Sequence, residues 1–274
     1  MPSPRFARIC DDVLQEWKAA RRRLLKSAAN RGAVHELRIQ TRRLLALEML
    51  LAPQGRLRGS GSLDELLHDA FRAMGRLRDA QLGAVDMAML TPGIPEADRL
   101  ARDLRDRQPQ LARRLHRELR SLHASQLANI VAAWLEPARG DVEHVLPQRA
   151  TRRLGAAANR LAIEGRNNTS TAARSLHRRR IRLKALRYMT EFAMAARCPV
   201  PRSLSLPRLA ATLRALGAVT DLDAEARSIA RFAAKHPAWR STAKQLLREL
   251  HRRRTAALAR IGNGTYSVAR AAGA

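Results

Sequence analysis

The sequence predicts an all-α protein made of two four-helix bundles. They arise from an internal duplication and are related by pseudo-two-fold symmetry, which suggests a single anion-binding surface built from both copies. Three observations lead there. Leu, Ala and Arg recur at helical spacing, and no segment keeps the apolar/polar alternation of a strand. Turn-forming residues cut the chain into four helical stretches on either side of a midpoint at Glu136-Pro137-Ala138-Arg139-Gly140-Asp141. Two short motifs occur twice, both pairs separated by 142 residues.

The stretches follow from their breaks. The first half predicts helices over 5–29, 33–51, 63–90 and 97–134. Gly32, the run Pro53-Gln54-Gly55 through Gly59-Ser60-Gly61, and Thr91-Pro92-Gly93-Ile94-Pro95 separate them. Pro109 should kink or split the fourth, because proline removes a helical N–H. The second half predicts helices over 142–164, 172–197, 205–234 and 238–261. Its breaks are Gly165 to Ser170, Cys198-Pro199-Val200-Pro201 and His236-Pro237, and 262–274 reads as a loose tail. The domains expected are therefore 5–135 and 136–261, each a four-helix bundle. Leu37, Leu44, Leu47 and Leu51 supply a core stripe on the second helix. Ile181, Leu186, Met189 and Phe192 should do the same in the copy.

The repeated motif is basic. Its first copy is Val34-His35-Glu36-Leu37-Arg38-Ile39-Gln40-Thr41-Arg42-Arg43, and its second is Leu176-His177-Arg178-Arg179-Arg180-Ile181-Arg182-Leu183-Lys184-Ala185. The offset sets His35 on His177, Arg38 on Arg180 and Arg42 on Lys184. Further on, Met74-Gly75-Arg76-Leu77-Arg78-Asp79 falls on Leu216-Gly217-Ala218-Val219-Thr220-Asp221 without a gap. Each helical residue turns about 100°, so His35, Arg38 and Arg42 share one face. Arg31 joins them if the helix reaches that far. In the copy, His177, Arg180, Lys184 and Arg187 line up in the same way. Like charges at such spacing weaken an isolated helix. A bound anion would explain why they persist.

Composition agrees. Lysine plus arginine total 52 against 24 acids, a net charge of +28, which calls for a polyanionic partner. Only five of those cations are lysine, and arginine's planar fork grips phosphate oxygens in pairs. Cys10 and Cys198 are too few for a disulfide framework. The first residues hold no apolar core of signal-peptide length, and no run could span a bilayer. A reduced, cytoplasmic protein is expected.

The two basic elements resemble the signature of the CHAD domain, the conserved histidine α-helical domain. Its helices carry His-x-x-Arg-x-x-x-Lys/Arg, and the second copy continues into Leu186-Arg187-Tyr188. The later element resembles Leu-Gly-x-x-x-Asp-x-Asp, here Leu216 to Asp223, and the likeness runs from about residue 5 to 260. The resemblance implies two four-helix bundles with a basic groove, binding of inorganic polyphosphate and no catalysis. It also suggests association with polyphosphate granules. By that likeness His35, Arg38, Arg42, His177, Arg180, Lys184 and Arg187 would face the polyanion. Arg31 and Arg43 belong to the same helix as the first set. Other basic runs could extend the groove: Arg22 beside Arg21 and Lys26, Arg113 and Arg117 beside Arg114 and Arg120, Arg153 beside Arg152 and Arg160, and Arg252 beside Arg248 and Arg253. Leu45 stands where Arg187 stands in the copy, and Gln81 stands opposite Asp223, so the first stripe is shorter.

Several chemistries lack their residues. No Walker-type loop, His-Glu-x-x-His motif or metal-ligand spacing occurs, so no cofactor or metal is expected. The Glu-x-Glu-x-Lys motif of the CYTH triphosphate domain, often joined to CHAD modules, is absent. Asp79 and Asp221 should lock a helix or pair with an arginine rather than do chemistry, since nothing nearby supplies a partner acid. The alternative function is nucleic-acid binding by phosphate contacts, although aromatics at 3% leave few stacking platforms. A phosphotransfer enzyme would need acidic Mg²⁺ ligands, for which Asp79, Asp221 and Asp223 are the candidates.

Overall fold

The computed structural model describes residues 4–27, 30–53, 62–90, 95–136, 142–167 and 170–264. Most of those residues are helical, with no strand among them. The order is α1 (Pro4–Lys26), α2 (Arg31–Leu51), α3 (Leu63–Leu90), α4 (Pro95–Asp106), α5 (Gln108–Ser121), α6 (Ala124–Leu135), α7 (Val142–Asn167), α8 (Ala173–Ala195), α9 (Leu206–Lys235), a 3₁₀ turn (Pro237–Trp239) and α10 (Arg240–Gly264).

Among the described residues the stretches follow the sequence breaks except in two places. Gly32, expected to separate the first two helices, lies inside α2. The expected fourth helix is three, α4 to α6. It breaks at Arg107 and again at Leu122-His123. Pro109 lies just inside α5, where its missing N–H costs nothing because the first helical N–H groups have no partner in the helix. α2 begins two residues earlier than expected. Asn30 caps it, its side-chain oxygen accepting from the Ala33 N–H at 3.0 Å. α10 runs through 262–264, where a loose tail was expected; 265–274 lie outside the described residues. The predicted breaks at 54–61 and 91–94, most of the midpoint (137–141) and residues 168–169 also lie outside them.

Two compact units partition the chain. The first comprises 1–78, 110–160 and 184–206, and the second 79–109, 161–183 and 207–274. Each draws segments from both sequence halves.

In the first unit α1 packs along α2. Phe6, Trp17 and Leu24 of α1 and Leu37, Leu44, Leu47 and Leu51 of α2 are fully buried, so the expected stripe is the core face. Burying side chains of this size contributes about 1.5–3 kcal/mol each. Trp17 donates its indole N–H to the Thr41 hydroxyl at 3.1 Å, which in turn donates to the Leu37 carbonyl. Glu48, 4% exposed, reaches from α2 to accept the Leu63 N–H at 2.6 Å, supplying the partner that the first turn of α3 lacks. Arg21 closes the end of α5 through the carbonyls of Leu119 and Leu122.

The second unit is built on Met87, Leu100, Ala101, Ile229, Phe232, Trp239, Ala243 and Leu250. The Phe232 and Trp239 rings meet edge to face, 4.9 Å between centroids, a favoured aromatic geometry. α8 contributes to both units. It ends with Arg197 at φ 57°, a left-handed residue that lets the Cys198 N–H reach back to the Ala193 carbonyl at 2.8 Å.

One core expectation is corrected. Leu186, Met189 and Phe192 are buried, but Ile181 is 49% exposed. At that level Leu183 takes the buried side, and two residues' rotation of about 200° turns Ile181 away from it.

Candidate anion-binding site

α2 positions the first basic set. Arg31 occupies its opening turn and is exposed. The guanidinium groups of Arg38 and Arg42 lie over the Phe71 ring, 5.2 and 5.5 Å from its centroid. A cation over a ring face is attracted by its quadrupole, about 0.5–1 kcal/mol at accessible sites. Arg38 also crosses Gly75, where a Cβ would stand 3.2 Å from Nη1. The glycine therefore makes room for the arginine.

The same pairing occurs in the second copy. Arg180 crosses Gly217, its Nη2 at 3.3 Å from a Cβ placed there. Arg38–Gly75 and Arg180–Gly217 are thus one arrangement, displaced by 142 residues in sequence. What steadies each arginine differs. Leu213 stands at the position of Phe71. Arg180 is instead held by the Thr220 hydroxyl at 2.8 Å and the Asp221 carboxylate at 3.1 Å. Asp221 thus pairs with an arginine, as the sequence suggested.

Charges from both copies meet at His35. Its imidazole is held below its ordinary value, first by partial burial and then by Arg78, Arg42, Arg38 and Lys184. Lys184 comes from the second copy and Arg78 from the second repeated element. Sequence reasoning missed Arg78 and Phe71. Arg78 stands three residues past Gly75 on the same helix, which was the available signal.

Other candidates are placed elsewhere. Arg43 turns from the stripe to pair with Glu16, and its guanidinium lies 5.7 Å from the Phe192 centroid. Arg187 pairs with Glu191 at 2.8 Å and lies over Tyr188. Arg153 reaches the Met49 carbonyl at 3.4 Å and Arg149 the Leu51 carbonyl at 2.8 Å, so both serve the end of α2. Burial, then Arg149 and Arg152, keeps the Arg153 guanidinium below its ordinary value. Arg252 pairs with Glu249 at 2.6 Å. His177, Arg22, Arg113 and Arg117 are exposed on α8, α1 and α5.

The expected absence of a second acid near Asp221 is corrected. Folding brings Asp86 of α3 and Asp221 close enough to Glu225 that, with burial as the larger cause, its carboxyl is pushed up to about 7. Asp86 lies far from the other two in sequence, and Glu225 stands one turn past Asp221 on α9, so the Leu216–Asp223 motif marks Asp221 but neither Asp86 nor Glu225. Among the described residues no group of three or more His, Cys, Asp or Glu could hold a metal. No helix there is long and apolar enough to cross a membrane. Cys10 and Cys198 are free and buried.

The family model of the CHAD domain matches residues 8–205. The chain belongs to the CHAD domain family. The crystal structure of the CHAD domain from the plant Ricinus communis superposes with a TM-score of 0.67 at 20% identity, covering 98% of this chain and 90% of that one. At that identity the likeness speaks for the fold. A search of curated proteins finds no match. The CHAD membership accounts for the all-helical architecture.

Proposed function

We propose that this CHAD protein binds inorganic polyphosphate without catalysis, through a surface to which both copies of the basic helix contribute. The observation that carries this reading is the convergence on His35 of Arg38 and Arg42 from one copy, Lys184 from the other, and Arg78. Cations gathered so closely repel one another, and a chain of phosphates relieves that cost at several points together. Family membership supports the same ligand, since CHAD domains are associated with polyphosphate. The duplication of a four-helix half, over 5–135 and 136–261, belongs to the proposal, supported by the repeated arginine–glycine pairing. So does association with polyphosphate granules in the cytoplasm.

The test is calorimetry of the full chain with long-chain polyphosphate, tripolyphosphate and duplex DNA at about 150 mM salt, where non-specific electrostatic binding is much reduced. Preferential binding of the long chain, lost in Arg38→Glu/Lys184→Glu with an unchanged helical spectrum, is the expected result. Equal binding of DNA would make the protein a general phosphate-backbone binder and overturn the ligand assignment.

A further inference from the structure

α8 is basic on more than one side. His177, Arg180, Lys184 and Arg187 lie on one face. At about 100° per residue, Arg178, Arg179 and Arg182 centre roughly 180° away about the axis. In the second unit those three line a cavity of about 230 Å³ with Ser170, Ser175, Leu176 and Glu164. The lining is a chemical mixture suited to phosphate: three guanidinium groups, two hydroxyls and one acid.

The acid is already engaged. Glu164 is paired with Arg182, so it is neutralised and orients that guanidinium. Arg178 and Arg179 are different. Among the described residues neither has a hydrogen-bond or ion-pair partner, and Arg179 is half-buried. A half-buried cation in a concave polar wall, with no partner, is costly unless an anion joins it. Planar guanidinium donors match tetrahedral phosphate oxygens in pairs. The room is that of about eight waters at about 30 Å³ each, enough for a short run of phosphates but not for a folded macromolecular surface.

We propose that this cavity is a second anion site, taking a phosphate group or short oligophosphate, and that α8 thereby serves anions on two opposite faces. If the stripe takes polyphosphate, one molecule can then tie two chains together. The second step rests on the polyphosphate reading, whereas the cavity's anion binding does not.

Two measurements separate those dependencies. The first is phenylglyoxal modification of the full chain, read by mass spectrometry at Arg178 and Arg179, with and without tripolyphosphate. Protection is expected in the wild type and equally in Arg180→Glu/Lys184→Glu. Absence of protection in both would overturn the cavity site, whatever the stripe binds. The second mixes donor-labelled and acceptor-labelled long polyphosphate chains with the protein and reads energy transfer. Transfer is expected in the wild type and should vanish in Arg178→Gln/Arg179→Gln, while single-chain affinity changes by no more than about twofold, the stripe's phosphate contacts being intact. Transfer that persists in that variant, or never appears with a wild type that binds the chain, would overturn bridging. A wild type that does not bind the long chain defeats the polyphosphate reading and with it the bridging, leaving the first measurement to decide the cavity.

Discussion

The guanidinium of Arg180 lies across Gly217, with Nη2, Cζ and Nε at 3.3, 3.7 and 3.8 Å from the place a Cβ would take. A methyl group there meets only the movable end of an arginine, whereas a larger side chain must evict it. Ala in place of Gly also gains about 1 kcal/mol of helix propensity. Gly217→Ala is therefore expected to melt no lower than the wild type and to bind nearly as well. Gly217→Leu should displace Arg180 and weaken polyphosphate binding several-fold, roughly the loss of one charge-assisted contact. Calorimetry of the two variants checks this, and wild-type affinity in the leucine variant would remove Arg180 from the surface.

Asp221 competes for the same guanidinium. It is 63% exposed, so the pair contributes little to stability, about 0–1 kcal/mol. Its negative charge nonetheless stands where a phosphate would bind. Asp221→Asn should raise affinity for polyphosphate by up to about fivefold, the equivalent of about 1 kcal/mol, with little change in melting temperature. A drop in affinity would instead assign Asp221 to positioning Arg180.

If the surface binds polyphosphate, His35 should make that binding depend on pH. In the free protein its imidazole sits below its ordinary value of about 6.5, through burial and four cations. A bound phosphate chain opposes those cations and raises the value. Binding then takes up a proton, so affinity should increase as pH falls through the bound-state value towards the free one. In the free protein the sign for stability is opposite to that of a paired histidine. The unfolded chain binds the proton first, so stability falls as pH drops below about 6.5. His35→Gln should flatten the affinity profile between pH 8 and 5.5, limits set by the about 6.5 reference value. A profile that keeps its slope in that variant would point to another group.

Glu225 acts on stability in the other direction. Burial, Asp86 and Asp221 push its carboxyl up to about 7. Its contribution is fully present below the unfolded carboxylate value, about 4.3, and is lost as pH rises through 7. Glu225→Gln removes the charge without changing shape. It should raise the melting temperature at pH 8 and change it little at pH 5. An equal shift at both would mean that its charge is not the cause.

Much of this was legible in sequence because helices advertise themselves locally. The Leu37–Leu51 stripe needed only near neighbours, and the His-x-x-Arg repeat needed only a register. What escaped depends on the third dimension. Arg43 reads as part of the stripe until Glu16 of α1 draws it aside. Arg153 reads as a surface cation until the exposed carbonyls at the end of α2 claim it. The acids around Glu225 come from two helices; the repeated motif marks Asp221, but nothing in either segment marks Asp86 or Glu225. Pro109 signalled the first split of the fourth stretch, but helical periodicity continued across residues 122–123, where the second break carried no such signal.

Phe71 and Leu213 occupy equivalent places, and the exchange of a ring for an aliphatic chain gives the two copies different sensitivities to their medium. The contact that steadies Arg38 needs no opposing ion, so dissolved electrolyte has little to screen. The clamp on Arg180 relies in part on a carboxylate facing water, and electrolyte weakens it. A cell that concentrates or dilutes its salts would thus act on the Arg180 clamp more than on the ring contact of Arg38.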